Sequence, residues 1–230
     1  MSIVLYEIVA QGDRRPSNYC WRTRMALAHK GLAFEARPVR HVDIPTICDG
    51  RRTALPVVED GGRIIEDSLA IAEHLEAAYP GRPTLFGGEA GLAFARFLHA
   101  WWRPAAHIPL LMLVARDLVE GLVPEDRAYV RAKMEARFGR PLAQLQAASE
   151  ADFGPWRESL APIRALLERQ PFISGSRPLY ADYIVFGTFQ WARTVTPLRV
   201  LDPADPVAAW VERCRDLFDG LAQKAKGAAD

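Results

Sequence analysis

Residues 55–81 read LPVVEDGGRIIEDSLAIAEHLEAAYPG, and this stretch decides the fold. The runs LPVVED and RIIED are rich in β-formers and flank Gly61-Gly62, which predicts a hairpin with a tight turn. SLAIAEHLEAAYPG then changes period. Leu69, Ala72, Leu75 and Tyr79 fall on one side of a helix, Ser68 stands near its start, and Pro80-Gly81 stops it. A hairpin followed directly by a helix is half of a small mixed domain. The other half lies upstream. SIVLYEI (2–8) reads as a strand and QGDRRPSN as a polar turn. A helix is expected from Ser17 to the stop at Lys30-Gly31, with Trp21, Met25, Leu27 and Ala28 near helical spacing. LAFEARPVR reads as a second strand and 41–54 as a loop. The order β-α-β, loop, β-β-α predicts a mixed four-stranded sheet with helices over residues 1–81.

Gly and Pro crowd residues 82–90, the expected linker. From 91 to 230 the pattern is helical and predicts an all-α domain. One long segment runs from AGLAFARFLHAWW through ARDL, disturbed at Pro104 and Pro109. PEDRAYVRAKMEARFG, WRESLAPIRALLERQ, YADYIVFGTFQWART and DPVAAWVERCRDLFDGLA supply further helices, and the tail KAKGAAD is expected to fray. YADYIVFGTFQWA is apolar on most faces, so it should be buried. Its one acid, Asp182, is expected to act as a structural cap for the free N–H groups of the buried helix start.

The chain has 230 residues, half of them apolar, with 29 Lys plus Arg against 28 Asp plus Glu. This near-balance argues against nucleic acid as a partner. Cys20, Cys48 and Cys214 are scattered and form no CxxC pair, so a reducing compartment is expected. MSIVLYEI lacks the basic start and long apolar run of a signal peptide, and IPLLMLVA is too short to span a bilayer. The expectation is a cytoplasmic protein with no membrane partner. GxGxxG and GxSxG are absent. His99 and His107 are not spaced i, i+4, and Pro104 lies between them, so no metal is expected.

Chemistry concentrates in SNYCWRTR (17–24), where a serine and a cysteine stand three positions apart at a helix start. Ser17 can cap the helix, and Cys20 is a rival nucleophile or a small buried hydrophobe. The strings LPVVED, EDSLAIAEHLE and YADYIVFGTFQW, with the order of elements, resemble the cytosolic glutathione S-transferases over nearly the whole chain. SNYCWRTRMALAHKGL and YADYIVFGTFQWARTVTP are similar to the bacterial lignin β-etherase type, which cleaves Cα(R) β-aryl ethers, and to the fungal A-class transferases.

The resemblance implies a thioredoxin-like N-terminal domain, a helical bundle, glutathione as co-substrate, a hydrophobic or aromatic second substrate, and a homodimer. It places Ser17 at the position facing the glutathione sulfur. A hydroxyl there, at a helix N-terminus, favours the thiolate as a hydrogen-bond donor rather than a base. Asn18 replaces the usual proline and restores an N–H donor to the first turn. The resemblance makes Pro56 a cis-proline, with Leu55, Pro56 and Val57 meeting the cysteinyl part of glutathione as a strand edge meets a peptide. Asp67-Ser68 matches the acid–serine pair that holds the γ-glutamyl end, with Glu66 competing for the acid's role. Arg40, His41, Arg51 and Arg52 are available for the glycine carboxylate, with His41 and Arg52 as the candidates. The family commonly has Ser or Thr three residues before the buried-helix Asp; here Leu179 stands there. The electrophile pocket is expected from Tyr6 to Val9 and from FLHAWWRPAAH, with Trp101, Trp102, His99 and His107 as an aromatic wall. The resemblance leaves open a ligand carrier for phenolics without turnover, and glutathione-dependent isomerisation or dehalogenation.

Overall fold

Strand β1 (Ile3–Ile8) is buried along its whole length, including the acidic Glu7. A buried carboxylate needs partners. Glu7 receives Arg15 Nε at 2.8 Å and Arg24 Nε and Nη2 at 2.5 Å each, so the strand is tied to the helix that follows it. The structure is a computed structural model that describes residues 3–144 and 150–230; Met1 and Ser2, where the first strand was expected to begin, lie outside the described residues. Helix α1 (Asn18–His29) leads to β2 (Phe34–Val39), which pairs parallel to β1 with Ile3 opposite Phe34. Strands β3 (Val57–Asp60) and β4 (Arg63–Glu66) form the expected hairpin across Gly61-Gly62, both at positive φ. The sheet order is β2-β1-β3-β4, and Val57 stands opposite Tyr6 on one side and Glu66 on the other. Helix α2 (Ser68–Ala78) completes the module.

Helix α3 (Glu89–Trp102) begins just inside the expected linker. Its run is disturbed as Pro104 predicts: Arg103–His107 widen into a π turn before α4 (Ile108–Leu113). Helices α5 (Ala115–Glu120) and α6 (Pro124–Phe138) follow, and α6 starts on proline and ends on the left-handed Gly139. WRESLAPIRALLERQ is two short helices rather than one, α7 (Gly154–Glu158) and α8 (Ala161–Leu167). Pro162 has no N–H for the carbonyl four residues back, so the helix breaks there. Helix α9 (Tyr180–Val195) is buried at every residue but Arg193, and α10 (Pro206–Gly220) closes the bundle. The tail does not fray. Ala228 N–H donates to Arg193 O at 2.8 Å, Arg193 Nη1 to Ala225 O at 2.6 Å, and Gly227 N–H to Asp230 Oδ2 at 2.6 Å.

Among the contacts that set the helical region against the sheet module are the following three. Asp126, fully buried at the start of α6, accepts the His41 N–H at 2.8 Å and the Val42 N–H at 3.0 Å. Tyr180 donates its hydroxyl to Ser68 O at 2.5 Å. Helix α9 lies directly on α1. A Cβ on Gly187 would stand 2.5 Å from Asn18 O and 3.2 Å from Arg22 Cγ. Backbone cannot yield as a flexible side chain can, so Gly187→Ala should lower stability by about 1–3 kcal/mol. Urea unfolding measures it, and an unchanged midpoint would contradict this account of the α1–α9 contact.

Candidate active site

A cavity of about 450 Å³ opens where α1, the β3–β4 hairpin and α3 meet. Its wall carries Leu55 and Pro56, joined by a cis peptide bond, and then Glu66, Asp67 and Ser68. These five residues come from the stretch that decides the fold. Asp67 is the N-cap of α2: its Oδ1 accepts the N–H groups of Leu69 and Ala70 at 2.8 and 3.1 Å. Asp67 has φ +68°, a conformation that L side chains rarely adopt. Ser68 is buried and its Oγ has no hydrogen-bond partner among the described residues.

Ser17 is the N-cap of α1, and its Oγ accepts the Cys20 N–H at 3.2 Å. It is 9 % exposed and stands beside the cavity rather than on its wall. Asn18 follows as the first helical residue, buried, with an unpartnered Nδ2. Cys20 packs among Val4, Ile8, Leu55 and Val57 beneath the sheet. Burial, reinforced by Glu7 and only partly offset by the Ser17 hydroxyl, pushes its thiol up to about 12. A thiol held protonated is not a nucleophile.

The remaining assigned residues divide. Val57 is fully buried as the first residue of β3. Arg52 pairs with Asp49 and with Glu66, bracing the cavity's rim. His41 is committed elsewhere: its N–H and Nδ1 both meet Asp126, the latter at 3.3 Å. Arg40 pairs with Asp43 at 2.6 Å. Tyr6 is buried under the sheet and donates to Glu59 at 3.3 Å, and Val9 bonds Val39 O; neither lines the cavity. Trp102 is completely buried and donates its indole N–H to Thr188 Oγ1 at 2.9 Å, so it belongs to the core. Trp101, one residue earlier and so about 100° around the helix, stacks on Phe97 at the outer face of α3. Asp182 caps as expected and does more. Its two oxygens take N–H groups from Ile173, Ser174, Leu179 and Trp210, joining α9, α10 and the preceding loop.

Tyr19, Ala54 and Arg103 line the cavity without having been named as candidates from the sequence, and His99 lines it as expected. His99 was legible as a pocket candidate; Tyr19, inside SNYCWRTR, gave no signal beyond its place in the motif. His99 links the domains. Arg22 can only donate, so its Nη1, 3.3 Å from His99 Nδ1, makes that nitrogen the acceptor and places the ring proton on Nε2, 4.0 Å from Asp67 Oδ2. His107 lies deeper. Thr188 accepts from Trp102, and its hydroxyl also bonds with His107 Nδ1 at 3.3 Å. Burial, helped by Arg22 and Arg103, pushes His107 down to about 3.

Residues 13–83 match the family model described as glutathione S-transferase, N-terminal domain, and residues 93–217 match that described as glutathione S-transferase, C-terminal domain. The chain belongs to the glutathione S-transferase family. It is 27 % identical over 201 residues to the glutathione S-transferase-like protein ustS of Aspergillus flavus, which covers 74 % of this chain and 72 % of that protein. Glutathione transferase GSTFuA3 of Phanerochaete chrysosporium superposes with a TM-score of 0.81 at 27 % identity, over 93 % of this chain and 96 % of that one. GSTFuA2 of the same fungus gives 0.83 at 25 % identity, over 98 % and 100 %. CsGST83044 of Ceriporiopsis subvermispora, solved in complex with glutathione, shares the fold with a TM-score of 0.81 at 21 % identity, over 95 % and 98 % of the two chains.

Two measurements follow from the titrating groups. His29, His41, His99 and His107 are each pushed down, burial being the largest cause. The folded chain therefore binds fewer protons than the unfolded chain, whose histidines titrate near 6.5. This stability is intact above about pH 6.5 and is lost as pH falls toward the folded values, by about 1.4 kcal/mol per pH unit for His107 alone. The urea midpoint should drop between pH 7 and pH 5, and His107→Gln should flatten the slope; an unchanged slope contradicts a neutral His107. Of the three thiols, only Cys48 is exposed. A disulfide reagent should label one thiol in the native chain and three in denaturant, with no protection by glutathione; a glutathione-protected second thiol would restore Cys20 as a nucleophile.

Proposed function

We propose that this chain transfers glutathione to, or uses it to cleave, a hydrophobic aromatic electrophile, with Ser17 holding the glutathione thiolate. Glutathione is the co-substrate. The observation that carries the reading is the single wall on which Leu55-Pro56 and Glu66-Asp67-Ser68 converge at the start of α1. Leu55 to Val57 receive the cysteinyl part. Ser68, with an unpartnered hydroxyl at a helix start, receives the γ-glutamyl carboxylate, and Asp67 its ammonium group. Arg51 is the basic loop residue whose guanidinium no described carboxylate holds, which favours it over His41 for the glycine carboxylate.

The Ser17 lone pair is used by Cys20 N–H, which orients the hydroxyl while leaving it a donor. Its donation and the positive end of α1 both favour a thiolate. The thiolate attacks an electrophile seated toward Tyr19, His99 and Arg103. β-Aryl ether cleavage is the form favoured by the sequence resemblance. Twofold dimerisation has support in α3, which exposes Phe94 and Phe97, the latter 61 % accessible and stacked on Trp101. Domains at 1–81 and 91–230 accord with α2 ending at Ala78 and α3 starting at Glu89. Three unpaired cysteines suit the cytoplasm, and among the described residues no helix is long and apolar enough to cross a membrane.

Ser17→Ala should lower turnover at neutral pH by about a hundredfold, in the range of a lost charge-stabilising donor, while glutathione affinity changes far less. The thiolate's ultraviolet absorbance in the binary complex reads the same event directly. Unchanged turnover and absorbance would remove Ser17 from the mechanism. Incubation with glutathione and a racemic β-aryl ether, following phenol release by enantiomer, tests the reaction class. One enantiomer turned over supports cleavage; phenolic binding without turnover of any electrophile supports a carrier.

A further inference from the structure

Resting on that function, we infer that Tyr19 is a second catalytic hydroxyl, which serves the leaving oxygen of the electrophile rather than the glutathione sulfur. Tyr19 lines the cavity, and its hydroxyl makes no hydrogen bond to any described residue. Arg103 and Ser68 also line the cavity, but Ser68 is assigned to the glutathione and the Arg103 guanidinium, though a donor, is a far weaker acid than a phenol, so of these side chains Tyr19 is the one suited to hand over a proton. His99 Nε2–H lies 4.0 Å from Asp67 Oδ2, and the Ser17 hydroxyl is assigned to the glutathione sulfur. Side chains two positions apart at a helix start face different sides, so Ser17 and Tyr19 do not converge on one atom.

The Tyr19 ring is held from three directions. The Arg22 guanidinium lies 4.6 Å from its centroid, His107 meets it at 6.3 Å edge-on, and His99 at 6.5 Å. Arg22 is completely buried, with Nε and Nη2 unpartnered, so the cation is fixed and little screened. A cation against the ring face is attracted to its π electrons. The two histidines come from the helical domain and Tyr19 from the sheet module, so the hydroxyl is positioned only when the domains are packed together.

In an aryl ether, the thiolate sulfur bonds to the ether carbon and the carbon–oxygen bond breaks, its electron pair going to the aryl oxygen. Tyr19 O–H donates to that oxygen and its proton passes across; solvent then reprotonates Tyr19. Net, glutathione and the ether give a thioether and a free phenol, and the proton lost by the thiol to solvent balances the one that Tyr19 regains.

The test is Tyr19→Phe, which keeps the ring on Arg22, assayed with glutathione and a series of β-aryl ethers that differ only in the leaving phenol, from nitro- to methoxy-substituted. Glutathione affinity and thiolate absorbance should stay within about twofold of wild type, which also reports that the variant is folded. Turnover of the least acidic phenols should fall by about a hundredfold or more, the scale of a lost proton donor, and the loss should shrink as the leaving phenol grows more acidic. An equal loss across the series, no loss, or a loss of thiolate absorbance overturns the assignment. So does a wild-type chain that binds glutathione yet cleaves none of the ethers. A wild-type chain that binds no glutathione overturns the function itself, and Tyr19's role with it.

Discussion

The close passage of α9 over α1 is the constraint on which the rest of the structure depends. At Gly187 the two helices leave no room for a methyl group above Asn18 O. This contact presses the most buried helix of one domain onto the helix whose first turn carries Ser17, Asn18 and Tyr19. It fixes the height of that turn against the cavity wall, and it brings Arg22 within reach of His99 and Tyr180 within reach of Ser68. Small residues where backbones approach closely are a packing requirement, and here that requirement is also what assembles the cavity.

Around this contact the buried polar groups are accounted for in a consistent way. Glu7, Asp126 and Asp182 are all fully buried and well partnered: Glu7 takes three bonds from arginines, Asp126 two from backbone N–H groups with the His41 ring alongside, and Asp182 three from backbone N–H groups and one from Trp210. Glu7 ties β1 to the helix that follows it, whereas Asp126 reaches 85 positions back and Asp182 28 positions on. By contrast, Asn18 Nδ2, Arg22 Nε and Nη2, and Ser68 Oγ are buried with no partner among the described residues. An unmade hydrogen bond in the interior is costly. These four atoms lie along the seam between domains, beside the cavity; Ser174 Oγ, Gln190 Oε1 and Arg215 Nε, within the helical domain, are unpartnered as well.

Much of this was legible. Gly61-Gly62 marked the hairpin because a two-residue turn needs positive φ, and Pro80-Gly81 marked a helix end for reasons equally local. Asp182 stood out as the lone acid in an apolar helix. The less legible points were non-local. Trp101 and Trp102 are adjacent and chemically equal, yet one stacks at the surface and the other fills the core, since neighbouring residues on a helix face different ways. His41 looked free in a basic loop, but Asp126, 85 positions on, had claimed it. The tail looked frayed because its anchors, Arg193 above all, lie far away in the chain.

Sequence by itself determined the order of elements, the two-domain plan and the residues of one cavity wall, because turns, caps and hydrophobic period depend on near neighbours. Which of Ser17 and Cys20 was chemically available required the fold, since burial among strands holds the Cys20 thiol protonated. The opposite wall, where Tyr19 meets Arg22, His99 and His107, was decided by tertiary structure alone: contacts between helices of different domains are set by packing, and no local pattern encodes them.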